Sequence, residues 1–294
     1  MAESHSSRRI DAFHINVHLG EDPISDYQRL MPVLLDGSPH HLTSSRRHLA
    51  FHFERSSEII SLKSYEGDPQ GEALLYDTAT GTERLTPRGY SEIVATRTHA
   101  AIHLKSRVVA FEYNHRGTKI GNLEDLILQR LLRGAAKSQK FTVSLVPIVG
   151  PTFLSELEKY ERIQSAVVTL VRPNPNWLDS KSPLLSYGES SHAQKMTITA
   201  VAKRDDSLSH RSGLVADLKD ILKKGVQTVK EAVIRGTRSD ATGLQPLRLT
   251  KHSLFKVVNL PRAIDGQPDS SRMIHDVIEY CNWLKREHPA PKEI

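Results

Sequence analysis

HAAIHLKSRVVAFEYNHRGTKIGNLEDLILQRLLRGAAKSQKFTVSLVPIVG, residues 99–150, is the stretch whose reading decides the fold. Ala101, Ile102 and Leu104, followed by Val108, Val109, Phe111 and Tyr113, make a β-rich run that stops at Asn114-His115-Arg116-Gly117. This predicts one or two strands and a turn. A helix is expected next, capped by Asn122, with Glu124 and Asp125 in its first turn and Leu123, Leu126, Ile127 and Leu131 on one face. Arg130 and Arg133 load its last turn and Gly134 stops it, because acids favour the positive end of a helix dipole and bases the negative end. Phe141 to Val149 is apolar enough for a central strand.

The same block carries the charge. From Arg97 to Val149 nine bases face three acids, a surplus of six that equals the formal +6 of the whole chain. With a pI near 9.3 and fifteen histidines, the expected partners are acidic: nucleic acid first, an anionic membrane surface second. A chain of 294 residues can bury a proper core in one large domain or two modest ones. One cysteine, Cys281, excludes an internal disulfide framework and a multi-cysteine zinc site, and fits a reducing cytosol. The opening MAESHSSRRI has no apolar core of a secretory signal. No run of about 18 apolar residues is present to span a membrane. A cytoplasmic location is the expectation.

Outward from the centre, residues 10–19 alternate, with Phe13, Ile15, Val17 and Leu19 on one side and Ala12, His14, Asn16 and His18 on the other; the pattern predicts a half-buried strand. A short helix with Pro32 near its end follows over 25–35, then a basic, histidine-rich loop with His40, His41, Arg46, Arg47 and His48. Short strands over 49–54, 58–65, 73–77 and 82–86 complete a meander. Beyond the central block we expect a helix over 152–160 and a strand over 162–171 that two prolines, Pro173 and Pro175, break. Another strand is expected over 194–203, a helix opening at Ser212 or Gly213, and β-leaning pieces over 226–235 and 252–260. Met273, Ile274, Val277, Ile278, Cys281 and Leu284 stripe a closing helix over 271–287. The expected class is α+β: mainly antiparallel sheets, interspersed helices and a C-terminal amphipathic helix. Residues 1–96 read as an N-terminal β-rich region and 97–294 as an α+β region with basic faces, and the two can form one domain. The closing stripe suits either its own core or a homodimer interface, where its flanking aromatics Tyr280 and Trp283 would be favoured.

No catalytic motif is legible. His99 with His103, and His48 with His52, have the i, i+4 spacing of helical zinc ligands but lie in β-leaning sequence without the accompanying glutamate. Glu58 with Lys63, and Glu156-Leu157-Glu158-Lys159, do not match the strand-borne E-x-K of a restriction-type nuclease. Phosphate-binding and nucleophile-elbow glycine motifs are absent; Gly188-Glu189-Ser190-Ser191-His192 builds no oxyanion hole. No metal, cofactor or catalytic residue is therefore assigned. The candidates are basic. Arg116, Lys119, Arg130, Arg133, Lys137 and Lys140 come from the central block, and Lys203, Arg204, Arg211, Lys219, Lys223 and Lys224 from a second stretch. Lysines on the outer face of a helix and arginines in loops suit phosphate contacts, which release condensed counterions. Aromatics are few and not interleaved with the bases, which favours duplex backbone over stacked single strands.

The strand through Val108-Val109-Ala110-Phe111, the polar turn 114–119, the helix with Asn122-Leu123-Glu124-Asp125-Leu126, Leu131-Leu132-Arg133-Gly134 and the strand 141–149 together resemble the RexA/KwaB-like anti-phage DNA-binding proteins. The resemblance covers residues 97–150. It implies a cytoplasmic, dimeric, duplex-DNA-binding defence protein, working beside a separate membrane effector, and it brings no catalytic residues. A sequence-nonspecific duplex-DNA binder is thus the expected function. The rival classes are a nuclease or RNA-cleaving toxin whose site is assembled from scattered His, Glu and Arg, and an interaction subunit that docks an acidic partner.

Overall fold

A computed structural model describes residues 5–20, 22–23, 27–35, 40–44, 47–56, 58–68, 74–77, 82–85, 94–134, 140–172, 183–191, 193–263 and 265–288. Its elements in chain order are β1 (His5–Leu19), β2 (Asp22–Pro23), α1 (Tyr27–Leu35), β3 (His40–Ser44), β4 (Arg47–Ser56), β5 (Ile59–Asp68), β6 (Leu74–Asp77) and β7 (Thr82–Leu85). Then come β8 (Val94–His103), β9 (Val108–Tyr113), α2 (Ile120–Gly134), β10 (Phe141–Pro147), α3 (Thr152–Glu158), β11 (Tyr160–Val171) and α4 (Pro183–Ser190). The chain closes through β12 (Lys195–Val201), α5 (Gly213–Lys223), β13 (Val229–Arg238), β14 (Gln245–Arg248), β15 (Phe255–Pro261) and α6 (Ser270–Glu287). The fold is α+β with antiparallel sheets, as the alternation of strand and helix patterns predicts.

The larger sheet runs β10-β1-β9-β8-β5-β4-β3, with β2 and β15 also paired to β1. β10 and β15 share one edge of β1 end to end, matching Leu19 with Phe141 and His5 with Pro261. The boundary expected at 96/97 falls inside β8, which pairs along its length with β5. Helices α1 and α2 cover one face, where Ile15, Val17, Tyr27, Met31, Leu123 and Ile127 meet. Helix α6 lies on the other, over Ile10, Ala12, Ala101, Val108 and Ala110. Two covered faces explain why Val108 to Phe111 reads as a continuous apolar run: both sides of a central strand are buried. A second sheet, β12-β11-β13-β14, packs Ile163, Ala166, Val168 and Ala232 against Phe153, Leu157, Val215, Leu218 and Ile221 of α3 and α5. Hydrogen bonds tie the sheets together: Asn16 Nδ2 donates to the Gln227 carbonyl at 2.8 Å, and Arg172 Nη1 to the Gly20 carbonyl at 3.0 Å.

Three expectations change, and one left open between two readings is decided. The histidine-rich segment at 40–44 is a strand, β3, because β4 offers it a partner in register from His40↔Phe51 to Ser44↔Arg47. Helix α2 starts at Ile120, two residues before Asn122, whose amide bonds the Lys119 carbonyl at 3.0 Å. The polar side of β1 is not solvated: His14, Asn16 and His18 are all buried, since α6 and the second sheet cover the strand's second face. The α6 stripe closes its own core, with Met273, Val277, Cys281 and Leu284 each at 0% exposure.

Candidate functional site

The two halves of the chain bring different bases to one end of the molecule. Glu124 of α2 accepts the Leu145 amide at 3.0 Å, which runs α2 back along β10 and sets its last turn, with Arg130 and Arg133, toward the start of β10. Lys140 stands there, its carbonyl accepting the Gly20 amide at 2.6 Å. The Arg172 bond to Gly20 brings the end of β11 to the same place, and the pairing Val171↔Lys195 adds Lys195. Arg133, Lys140 and Lys195 are exposed and Arg130 is half-buried. Lys223 and Lys224 are exposed on the turn that leads into Gln227, the residue hydrogen-bonded to Asn16.

The other candidates lie apart. Arg116 and Lys119 sit at the opposite end of α2, and Lys119 Nζ is engaged by the Asn114 and His115 carbonyls at 2.7 and 2.5 Å. The tight turn there needs Gly117, where a Cβ would fall 2.2 Å from Thr98 Oγ1. Lys203, Arg204 and Arg211 are exposed near the start of β11, where Arg162 Nε donates to the Asp206 carbonyl at 2.9 Å. Lys219 is not on the outer face of α5. It stands one turn beyond Val215, only 6% exposed, with Nζ 2.8 Å from Glu158 and 3.1 Å from His210 Nδ1. That contact holds the Glu158 carboxyl below its ordinary range, so the Lys219 charge is spent inside the fold. Lys137 lies outside the described residues.

A second polar assembly, invisible in the local sequence, crosses the face under α6. His99 and Glu112 share that face of β8 and β9, and His99 Nδ1 lies 2.8 Å from Glu112 Oε2. The other ring nitrogen, Nε2, lies 2.8 Å from Ser270 Oγ at the start of α6. Glu112 Oε2 also accepts the His99 amide at 3.1 Å, and Oε1 lies 3.5 Å from Arg8 Nε. Four residues on, His103 joins a different group: Nδ1 contacts the Ser106 amide and hydroxyl at 3.1 and 2.9 Å, and Nε2 lies 3.2 Å from Glu58. Burial is the main cause lowering the His103 pKa. The i, i+4 histidines therefore serve two networks, and among the described residues no three His, Cys, Asp or Glu side chains converge on a metal position. Among these residues no helix is long and apolar enough to cross a membrane. The signal that could have found the first network is the polar residues His99 and Glu112 flanking the apolar runs 100–102 and 108–111; their partner 171 positions away has no local signature. Compared with known proteins, the chain matches no family model and no curated sequence.

Proposed function

We propose that the protein binds duplex DNA through the phosphate backbone, without reading base sequence. The observation that carries this reading is the gathering of Arg130, Arg133, Lys140 and Lys195, distant in sequence, at one end of two sheets joined through Asn16 and Arg172. Cations on fixed strand and helix ends meet phosphates at little cost in ordering, and backbone contacts position a protein without specifying a sequence. From the resemblance of residues 97–150 we take the setting: cytoplasmic anti-phage defence, as a homodimer, beside a separate membrane effector.

The test is a mobility-shift titration with several duplexes of unrelated sequence. Reversing Arg133, Lys140 and Lys195 to Glu together should weaken binding at least tenfold on every duplex, on the order of 1.4 kcal/mol or more. The same change at Lys203, Arg204 and Arg211 should do less. Parent-like binding by the first triple variant, with its fold intact by circular dichroism, overturns the proposed face. Cutting of the duplex with Mg²⁺ present would move the protein to the nuclease class.

A further inference from the structure

We propose that Ser270, His99 and Glu112 form a hydrolytic relay that cleaves carboxylic esters by acyl transfer through Ser270. The inference is independent of DNA binding and uses none of the basic residues assigned to it.

The contacts run in the order the chemistry needs. Ser270 Oγ to His99 Nε2 is 2.8 Å, and His99 Nδ1 to Glu112 Oε2 is 2.8 Å. Both lie in the range within which a nucleophile meets its base and the base its orienting acid. Glu112 is an acceptor at this position: it takes the His99 amide as well as the ring and has Arg8 on its second oxygen. The ring proton is thereby held on Nδ1, and Nε2 is left to accept from the Ser270 hydroxyl. His99 and Glu112 are 2% and 1% exposed, whereas Ser270 is only partly buried. The base is thus shielded from water, while the residue that carries the nucleophile keeps part of its surface exposed.

The place of Ser270 supplies the remaining part. It is the first residue of α6, where amides have no intrahelical acceptor. The Arg272 amide is taken by Asp269 Oδ1 at 2.8 Å and the Met273 amide by the Asp269 carbonyl at 3.0 Å. The Ser270 and Ser271 amides have no acceptor among the described residues, and they point out along the positive end of an 18-residue helix. Donors of this kind stabilise the oxyanion that forms when a hydroxyl adds to a carbonyl. His103 shows the contrast. Its serine, Ser106, is three residues away and closes a hairpin turn with its own amide, so that group is explained by the turn. No such local closure accounts for Ser270, which arrives from another element.

In the first step Ser270 Oγ bonds to the ester carbonyl carbon while its proton passes to His99 Nε2, and the two amides hold the oxyanion. The carbon–oxygen bond to the alcohol then breaks and His99 returns the proton to the departing alcohol. In the second step water gives a proton to His99 and adds to the acyl carbon. The bond to Ser270 breaks, and Oγ takes the proton back. Ester and water become acid and alcohol. Ser270 and His99 touch the reacting atoms; Glu112 is a positioning residue.

The experiment uses the intact chain with a fluorophosphonate, which phosphonylates an activated serine with loss of fluoride, followed by intact-mass and peptide mass spectrometry. One adduct on Ser270 is expected, together with hydrolysis of p-nitrophenyl butyrate. Both are lost in Ser270→Ala and kept in Ser271→Ala. Glu112→Gln keeps a carboxamide of the same shape but presents the wrong partner to His99, so labelling should slow at least about a hundredfold, with Glu112→Asp partly restoring it. Absence of any adduct on the folded parent, an adduct that survives Ser270→Ala, or parent-rate labelling of a folded Glu112→Gln overturns the relay. Should Glu112→Gln fail to fold, the Ser270→Ala and Ser271→Ala pair still decides.

Discussion

His14 illustrates what a single side chain contributes when a strand thought to be half-solvated is covered on both faces. Its ring is 5% exposed, and burial, with His288 nearby, pulls its pKa down from 6.5 to about 3. The unfolded chain takes up this proton near pH 6.5, whereas the folded one resists it until about 3. The stability involved is therefore fully present above 6.5 and falls as pH drops from 6.5 toward 3. One proton bound only by the unfolded state gives a slope of about 1.4 kcal/mol per pH unit. His103, His252 and His288 shift in the same direction through burial and steepen the fall. His14→Asn removes one proton from that slope. Between pH 6.5 and 5 it should lose about 2 kcal/mol less than the parent in urea unfolding; parallel stability curves for the two proteins would contradict the assignment.

Helix α6 shows which elements sequence makes legible and where it stops. The 3.6-residue stripe from Met273 to Leu284 is readable in one window, and the helix forms where the stripe places it. What it packs on comes mainly from strands more than 150 residues earlier, and the structure answers with Ile10, Ala101 and Val108, joined by Val258 and Leu260 of the neighbouring β15. The same limit hid the relay: β8 and β9 are adjacent in sequence, so His99 and Glu112 could be paired by eye, but the landing site of Ser270 depends on the whole sheet. It also misread Lys219, whose position on α5 looks solvated until α3 supplies Glu158. Burying each of the fully covered α6 side chains Met273, Val277 and Leu284 is worth roughly 1.5–3 kcal/mol, a large share of the roughly 5–15 kcal/mol of a typical domain. Deleting the chain from Ser270 onward should therefore unfold the large sheet. Cys281 offers an independent readout, since burial pushes its thiol up to about 12. In the intact protein it should react with a disulfide reagent only as fast as the fold opens. Rapid reaction under native conditions, or a folded deletion variant, would place α6 outside the core.

At the scale of the whole molecule the formal charge is +6, but its distribution governs binding. Lys219, Lys230 and Arg238 are held by Glu158, Glu124 and Glu156, while Arg133, Lys140 and Lys195 stay exposed beside Arg130. If each of these four neutralises one phosphate, counterion release sets a slope of log K against log salt of about −0.9 per contact, close to −4 for one copy. A homodimer that presents both copies to one duplex would approach −7, so the slope, measured with the copy number from light scattering, reports the geometry of assembly as well as the strength of binding. A dimer with a slope near −4 has only one basic end on the DNA. Replacing Lys140 alone by Gln should reduce the magnitude by about 0.9 for each copy engaged, on all duplexes alike, because a backbone contact carries no base information. An affinity that stays constant between about 50 and 200 mM salt would show that phosphate attraction does not drive the complex, and would return the basic end to the role of a solvated surface.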